Sequence, residues 1–126
     1  MKKILIVIAD YYEDISSSLL KSAKYKLNNF SIKVIKVPGV FEIPVTISKH
    51  IKKYDAFIAL GCVIKGETPH FDFISSASTH AIMNLSVESK KPIGNGIITC
   101  LNMKQAKARG KKGKEAAQAV VSVLSQ

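Results

Sequence analysis

Short apolar runs alternate with amphipathic stretches along the whole chain. Residues 4–9 (ILIVIA) are continuously apolar and mostly β-branched, the pattern of a strand buried on both faces. Residues 10–14 are polar and aromatic. From 15 to 27 the apolar positions Ile15, Leu19, Ala23 and Leu27 recur every four, which predicts one face of a helix. A second strand is predicted over 32–37, closed by the turn signal of Pro38 and Gly39. Pro44 suits the first turn of a helix whose face is Ile43, Ile47 and Ile51. The third strand, 56–64, is again apolar throughout. A loop at 65–69 leads into a long helix over 70–89, with Phe73, Ile74, Ala77, Ala81 and Leu85 at helical spacing. Lys91 and Pro92 break it. A fourth strand is predicted over 93–99, interrupted by Gly94 and Gly96, then a short helix over 103–109 and a last helix over 115–124, with Gly110 and Gly113 between them.

Strands alternating with helices predict an α/β fold: one domain, 1–126, with a four-stranded parallel sheet flanked by helices on both faces. A length of 126 residues suits a single domain, and 47% hydrophobic residues can fill its core. In such open sheets ligands sit at the carboxyl ends of the strands. That rule directs attention to residues 10–13, 38–42, 61–70 and the surroundings of the fourth strand.

A net charge of +10 raises the question of nucleic acid. The lysines are spread over every segment, however, and the densest run, 104–114, lacks the aromatics that stack on bases. A basic surface with one anion site is expected instead, and no nucleic-acid partner. Cys62 and Cys100 are far apart with no CxxC spacing, so reduced, half-buried thiols are expected, with neither a disulfide framework nor a metal site. The longest apolar runs, 4–9 and 56–64, are too short to cross a bilayer. The lysines at 2 and 3 imitate the start of a signal peptide, but the apolar run stops at Asp10 and no cleavage site follows. A cytoplasmic protein without a membrane partner is the expectation.

Each strand end carries candidate chemistry. Tyr11 and Tyr12 follow the first strand, and a tyrosine there is either a lid over the core or a platform for a ring. After the second strand Phe41 reads as core. Glu42 is a helix N-terminal charge or an acceptor for a polyol. After the third, Gly66 permits a tight turn, and Glu67 to His70 enter a helix whose free amides suit an anion. His70 is a cap or a general base, whereas His50 and His80 read as bystanders. Arg109 and Lys112 belong to a basic run that is either solvated surface or part of a phosphate site, since arginine grips phosphate with two prongs. These residues imply an aromatic and anionic ligand around one histidine and do not name a reaction.

Three segments together resemble one family closely. VPGVFEIP (37–44), LGCVIKGETPHFD (60–72) and PIGNGIIT (92–99) are similar, in order and spacing, to the signature stretches of lumazine synthases, and the likeness runs over nearly the whole chain. The resemblance implies a flavodoxin-like three-layer domain and a condensation without cofactor. The amine of 5-amino-6-(D-ribitylamino)uracil attacks the ketone of 3,4-dihydroxy-2-butanone 4-phosphate; an imine forms, phosphate leaves, and ring closure gives 6,7-dimethyl-8-ribityllumazine. It also implies a homo-oligomer, a pentamer or multiples of it, with active sites between neighbouring subunits, and a functional association with riboflavin synthase. By position, Tyr11 would stack on the pyrimidine, and Val40, Phe41 and Glu42 would hold the ribityl chain. Cys62, Val63 and Ile64 would contact the pyrimidine edge and ribityl chain. Glu67 and Thr68 would form the phosphate turn, Arg109 would bind phosphate, Lys112 would approach the ribityl chain, and His70 would transfer protons.

The chain departs from the family in places. Many members carry Arg-Phe-Asn after the first strand, where this chain has Asp10, Tyr11 and Tyr12. At Asn95 many have a phenylalanine packing on the bound ring, although asparagine also occurs. Between Arg109 and Lys112 the usual Gly-rich connection is several residues longer, which makes Lys111 and Lys114 rivals of Lys112 and favours a lone pentamer. The start of the chain lies just before the first strand, so any arm pairing with a neighbour is expected to be minimal. Two other readings are a non-catalytic riboflavin or lumazine carrier on the same fold, and a basic nucleic-acid-binding module.

Overall fold

A computed structural model describes all residues, 1–126. The elements follow as β1 (Lys3–Ala9), α1 (Glu13–Lys24), β2 (Ser31–Val37), a single 3-10 turn at Val40–Glu42, α2 (Ile43–Lys49), β3 (Ala56–Ile64), α3 (His70–Ser89), β4 (Ile93–Cys100), α4 (Met103–Ala108) and α5 (Lys112–Leu124). All strand pairs are parallel and the sheet order is β2-β1-β3-β4. Ile4 lies beside Ile32 on one side and Ala56 on the other, and Ile64 lies beside Cys100.

The continuous apolar runs are explained by burial on both faces. In β1, Ile4, Ile6 and Ile8 pack with Leu19 and Ala23 of α1 and Ala116, Ala117 and Val120 of α5. Leu5, Val7 and Ala9 pack on the opposite face with Ile43 and Ile47 of α2 and Ile82 of α3. β2 is an edge strand, less buried than β1 and β3, and its Lys33 and Lys36 keep that edge charged. No helix is long and apolar enough to cross a membrane.

Two expectations about glycines are corrected. Gly110 and Gly113 do not both separate the last helices, because α5 already begins at Lys112 and includes Gly113. A Cβ at Gly113 would collide with the carbonyl oxygen of Leu19, so glycine is what lets the first turn of α5 lie directly on α1. The apolar stripe of α3 is only partly covered: Ile74 and Leu85 pack beside the buried Ile82 on the core, while Phe73, Met83 and Val87 are 67%, 60% and 68% exposed. Likewise Gly94 and Gly96 do not interrupt β4. They remove side chains where α5 rests on the strand, since a Cβ on either would meet Ala116.

Candidate active site

The direction in which the strands are laid down reverses between β1 and β3, with β2 on one side of β1 and β3 then β4 on the other. Such a switch point opens a crevice at the carboxyl ends of the strands. A cavity of about 600 Å³ lies there. Tyr11 and Tyr12 after β1, Gly39, Val40 and Phe41 after β2, Cys62, Val63 and Ile64 ending β3, and His70, Phe73 and Ile74 opening α3 line it.

The local sequence builds this arrangement. Gly61 has no side chain where the 3-10 turn folds in, and a Cβ there would stand 2.9 Å from Val40 Cγ2 and 3.3 Å from Ala9 Cβ. Val40 is therefore buried between the strands, while Phe41 is 69% exposed at the rim rather than core. The Glu42 carboxylate folds back over Gly39, its Oε1 3.2 Å from where a Cβ of Gly39 would be. Thr46 Oγ1 donates to the Glu42 carbonyl at 2.8 Å and continues the turn into α2. The two tyrosines differ in burial. Tyr12 is half-buried and packs on the core, whereas Tyr11 is 75% exposed.

His70 opens α3 exposed at the cavity wall, and its backbone N–H donates to Thr68 Oγ1 at 3.4 Å. Glu67 and Thr68 lie in the exposed turn before α3, beside the cavity but not lining it. His50 is tied to the Thr46 carbonyl at 2.9 Å, and His80 lies exposed on α3. Cys62 and Cys100 are both buried, more so than expected, on the adjacent strands β3 and β4. Burial, with Cys100 beside it, pushes the Cys62 thiol up to about 12, so at neutral pH it is a neutral wall rather than a nucleophile.

The remaining candidates lie outside this cavity. Arg109 is exposed at the end of α4, where Nη1 donates to the Thr99 carbonyl at 3.1 Å and approaches Cys100 Sγ at 3.9 Å. Arg109 and Lys112 line a separate basic hollow of about 460 Å³, together with both rivals, Lys111 and Lys114. The turn carrying them is clamped to α1, because Ser22 Oγ donates to the Gly110 carbonyl at 2.7 Å and accepts from Lys114 N at 3.1 Å. Asn95 is exposed on β4, its Oδ1 accepting from Ile97 N at 3.0 Å. One copy of the chain thus gathers the aromatic pocket and the basic groups in different places. Sequence reasoning missed Gly39, Phe73 and Ile74 as lining residues and left the role of Tyr12 open. The spacing of His70, Phe73 and Ile74, three and four apart on a helix, carried the signal for the last two.

The 6,7-dimethyl-8-ribityllumazine synthase family model matches residues 1–126. The chain belongs to this family. It is 44% identical to the 6,7-dimethyl-8-ribityllumazine synthase of Rhodopseudomonas palustris (strain BisA53), over 95% of this chain and 82% of that relative. It is 42% identical to the synthase so named of Agrobacterium fabrum, over 96% of this chain and 91% of the relative. The figure is 45% for that of Bartonella bacilliformis, over 89% and 78%. As a member of the lumazine synthase family the chain is an enzyme of riboflavin biosynthesis.

Proposed function

We propose that the pocket between β1 and β3 is where this enzyme condenses 5-amino-6-(D-ribitylamino)uracil with 3,4-dihydroxy-2-butanone 4-phosphate to give 6,7-dimethyl-8-ribityllumazine and phosphate. The observation that carries this assignment is the convergence of Tyr11, Val40, Phe41, Cys62, Val63, Ile64 and His70 on one cavity. In this reading Tyr11 offers its ring to the pyrimidine, and Glu42 accepts from ribityl hydroxyls beside Val40 and Phe41. The backbone of Cys62, Val63 and Ile64 reads the ring edge, and Glu67 and Thr68 turn amides and a hydroxyl toward the phosphate. His70 moves protons during imine formation and elimination. Most of the acceleration comes from holding two substrates together, because the second carries its own leaving group.

The groups that balance the phosphate and reach the second half of the ligand, Asn95, Arg109 and Lys112, come from a neighbouring copy in a homopentamer. The open stripe of α3 supports this. Between α2 and α3 runs an apolar groove of about 250 Å³ that shares Phe41 and Ile74 with the pocket. A neighbour seated there would cover an apolar face that nothing in the single chain covers. Light scattering should give five chains; a mass near sixty would refute the lone pentamer. The enzyme acts in the cytoplasm.

Mixing the protein with both substrates, beside an uncatalysed control, should accelerate the release of fluorescent lumazine and phosphate. The gain should fall sharply in Arg109→Ala. No acceleration, with a ribitylated ring still bound, would mark a carrier instead.

A further inference from the structure

The loop after β1 is fixed at three points of its backbone. Asp10 N donates to the Val37 carbonyl at 3.3 Å, Ser16 Oγ donates to the Ala9 carbonyl at 2.7 Å, and Ser16 N donates to the Tyr12 carbonyl at 2.9 Å. Ser16 is buried, so these ties are shielded from water. The Tyr12 ring grows from this fixed backbone onto the core formed by β1, α1 and β3. Burial raises its phenol pKa, with Tyr11 and Cys62 adding to the shift, which agrees with a ring seated in the wall beside them. Tyr11 is the opposite case. It is 75% exposed and its hydroxyl has no hydrogen-bond partner. Its contact with Tyr12 is edge-on, with ring centroids 4.9 Å apart and planes at 81°. That is the favoured geometry for two aromatic quadrupoles. A ring that must lie flat against a ligand loses rotamer freedom on binding, and a neighbour that already restrains it lowers that loss.

We propose that Tyr12 is a positioning residue that holds the Tyr11 ring edge-on in the orientation in which it meets the pyrimidine substrate. The inference rests on the assignment of this pocket to the pyrimidine. Tyr12 acts through Tyr11 and not by touching the reacting atoms. The chain therefore has a pair of rings, one anchored and one presented, where the family commonly has one ring followed by asparagine.

Steady-state kinetics with both substrates on Tyr11→Ala, Tyr12→Leu, Tyr12→Phe and the Tyr11→Ala/Tyr12→Leu double variant test it. Leucine keeps apolar bulk against the core but lacks an aromatic edge, and melting curves check that each variant folds. Tyr12→Leu should raise KM for the ribitylaminouracil about three- to tenfold. KM for the butanone phosphate should stay unchanged and kcat should stay within about twofold. Tyr12→Phe keeps the edge and should restore KM to within about twofold. The double variant should be no worse than Tyr11→Ala, since the two rings act as one unit. If Tyr12→Leu leaves KM unchanged, or its effect persists undiminished without Tyr11, the inference is wrong. It is also wrong if Tyr12→Phe is as damaging as Tyr12→Leu, because the hydroxyl would then be meeting the substrate directly. Should Tyr11→Ala itself leave the pyrimidine KM unchanged, the assignment of the pocket fails, and the positioning role with it. If Tyr12→Leu does not fold, Tyr12→Met serves in its place with the same expectations.

Discussion

The Arg109 guanidinium donates to the Thr99 carbonyl at 3.1 Å, which stations it at the carboxyl end of β4 and outside the cavity that His70 lines. The charge proposed for the phosphate and the imidazole proposed for the proton therefore stand on different walls, and their contributions should be separable.

Arg109→Ala should lower kcat/KM about 10- to 100-fold, the loss expected when a hydrogen bond to a charged group is removed. His70→Ala should cost about tenfold or less, because positioning outweighs proton transfer in this condensation. Steady-state kinetics that found the histidine far more important than the arginine would contradict this order.

Two damaged variants should repair one another if each site draws on two copies. Tyr11→Ala and Arg109→Ala, co-expressed in equal amounts, should recover activity in about a quarter of the sites, the share with an intact residue from each side. Separately purified and unmixed, both should remain impaired. No recovery in the mixed oligomers would place the whole site within a single chain.

Much of this was legible beforehand, for identifiable reasons. Residues 4–9 and 56–64 carry no polar side chain, and only a strand with helices on both faces tolerates that. The long helix over 70–89 came out with the expected bounds because Pro69 and the Lys91–Pro92 pair flank it. Gly113 misled because a glycine near a helix start reads as a break, whereas here it answers a contact with Leu19 far away in sequence. Phe41 misled for a similar reason: hydrophobicity alone does not tell a core ring from one at a cavity rim. The meeting of Cys62 with Cys100 depends on strand register, which no local pattern in either segment states.

The seat of α5 on β4 should be intolerant of a single methyl group. A Cβ at Gly94 would run into the Ala116 carbonyl and stand 2.9 Å from Val120 Cγ2. Gly94→Ala should cost about 1–3 kcal/mol in urea denaturation. At Gly66 nothing lies within 4 Å, so Gly66→Ala should change stability by less than about 0.5 kcal/mol. Equal effects at the two positions would contradict the packing described.

High pH should weaken the fold partly through Cys62. Its thiol rises from 9.0 to about 12 on folding, chiefly by burial and then through Cys100. The native chain thus holds this proton over a range where the unfolded chain has released it. The associated stability is complete below about pH 9 and is lost as pH climbs toward 12. Denaturation curves across that window should fall more steeply for the parent protein than for Cys62→Ala, and identical slopes would exclude this contribution.

Lys90 ends α3 in the left-handed region, with φ 59° and ψ 31°, and no other non-glycine residue has positive φ. Glycine is the usual occupant of such a position. Lys90→Gly should stabilise the protein by about 1 kcal/mol in chemical denaturation. A loss of stability would mean that the lysine side chain offsets its own backbone strain.

The bare apolar stripe of α3 has a thermodynamic consequence. A helix of 20 residues that fully buries only Ser78 and Ile82 within its own chain, and leaves Phe73, Met83 and Val87 exposed, stabilises an isolated copy less than it would with that face covered. In the proposed pentamer, where a second copy would cover that stripe, association and folding would become one mass-action equilibrium. The melting temperature should then climb with total protein concentration, and dilution alone should act as a denaturant.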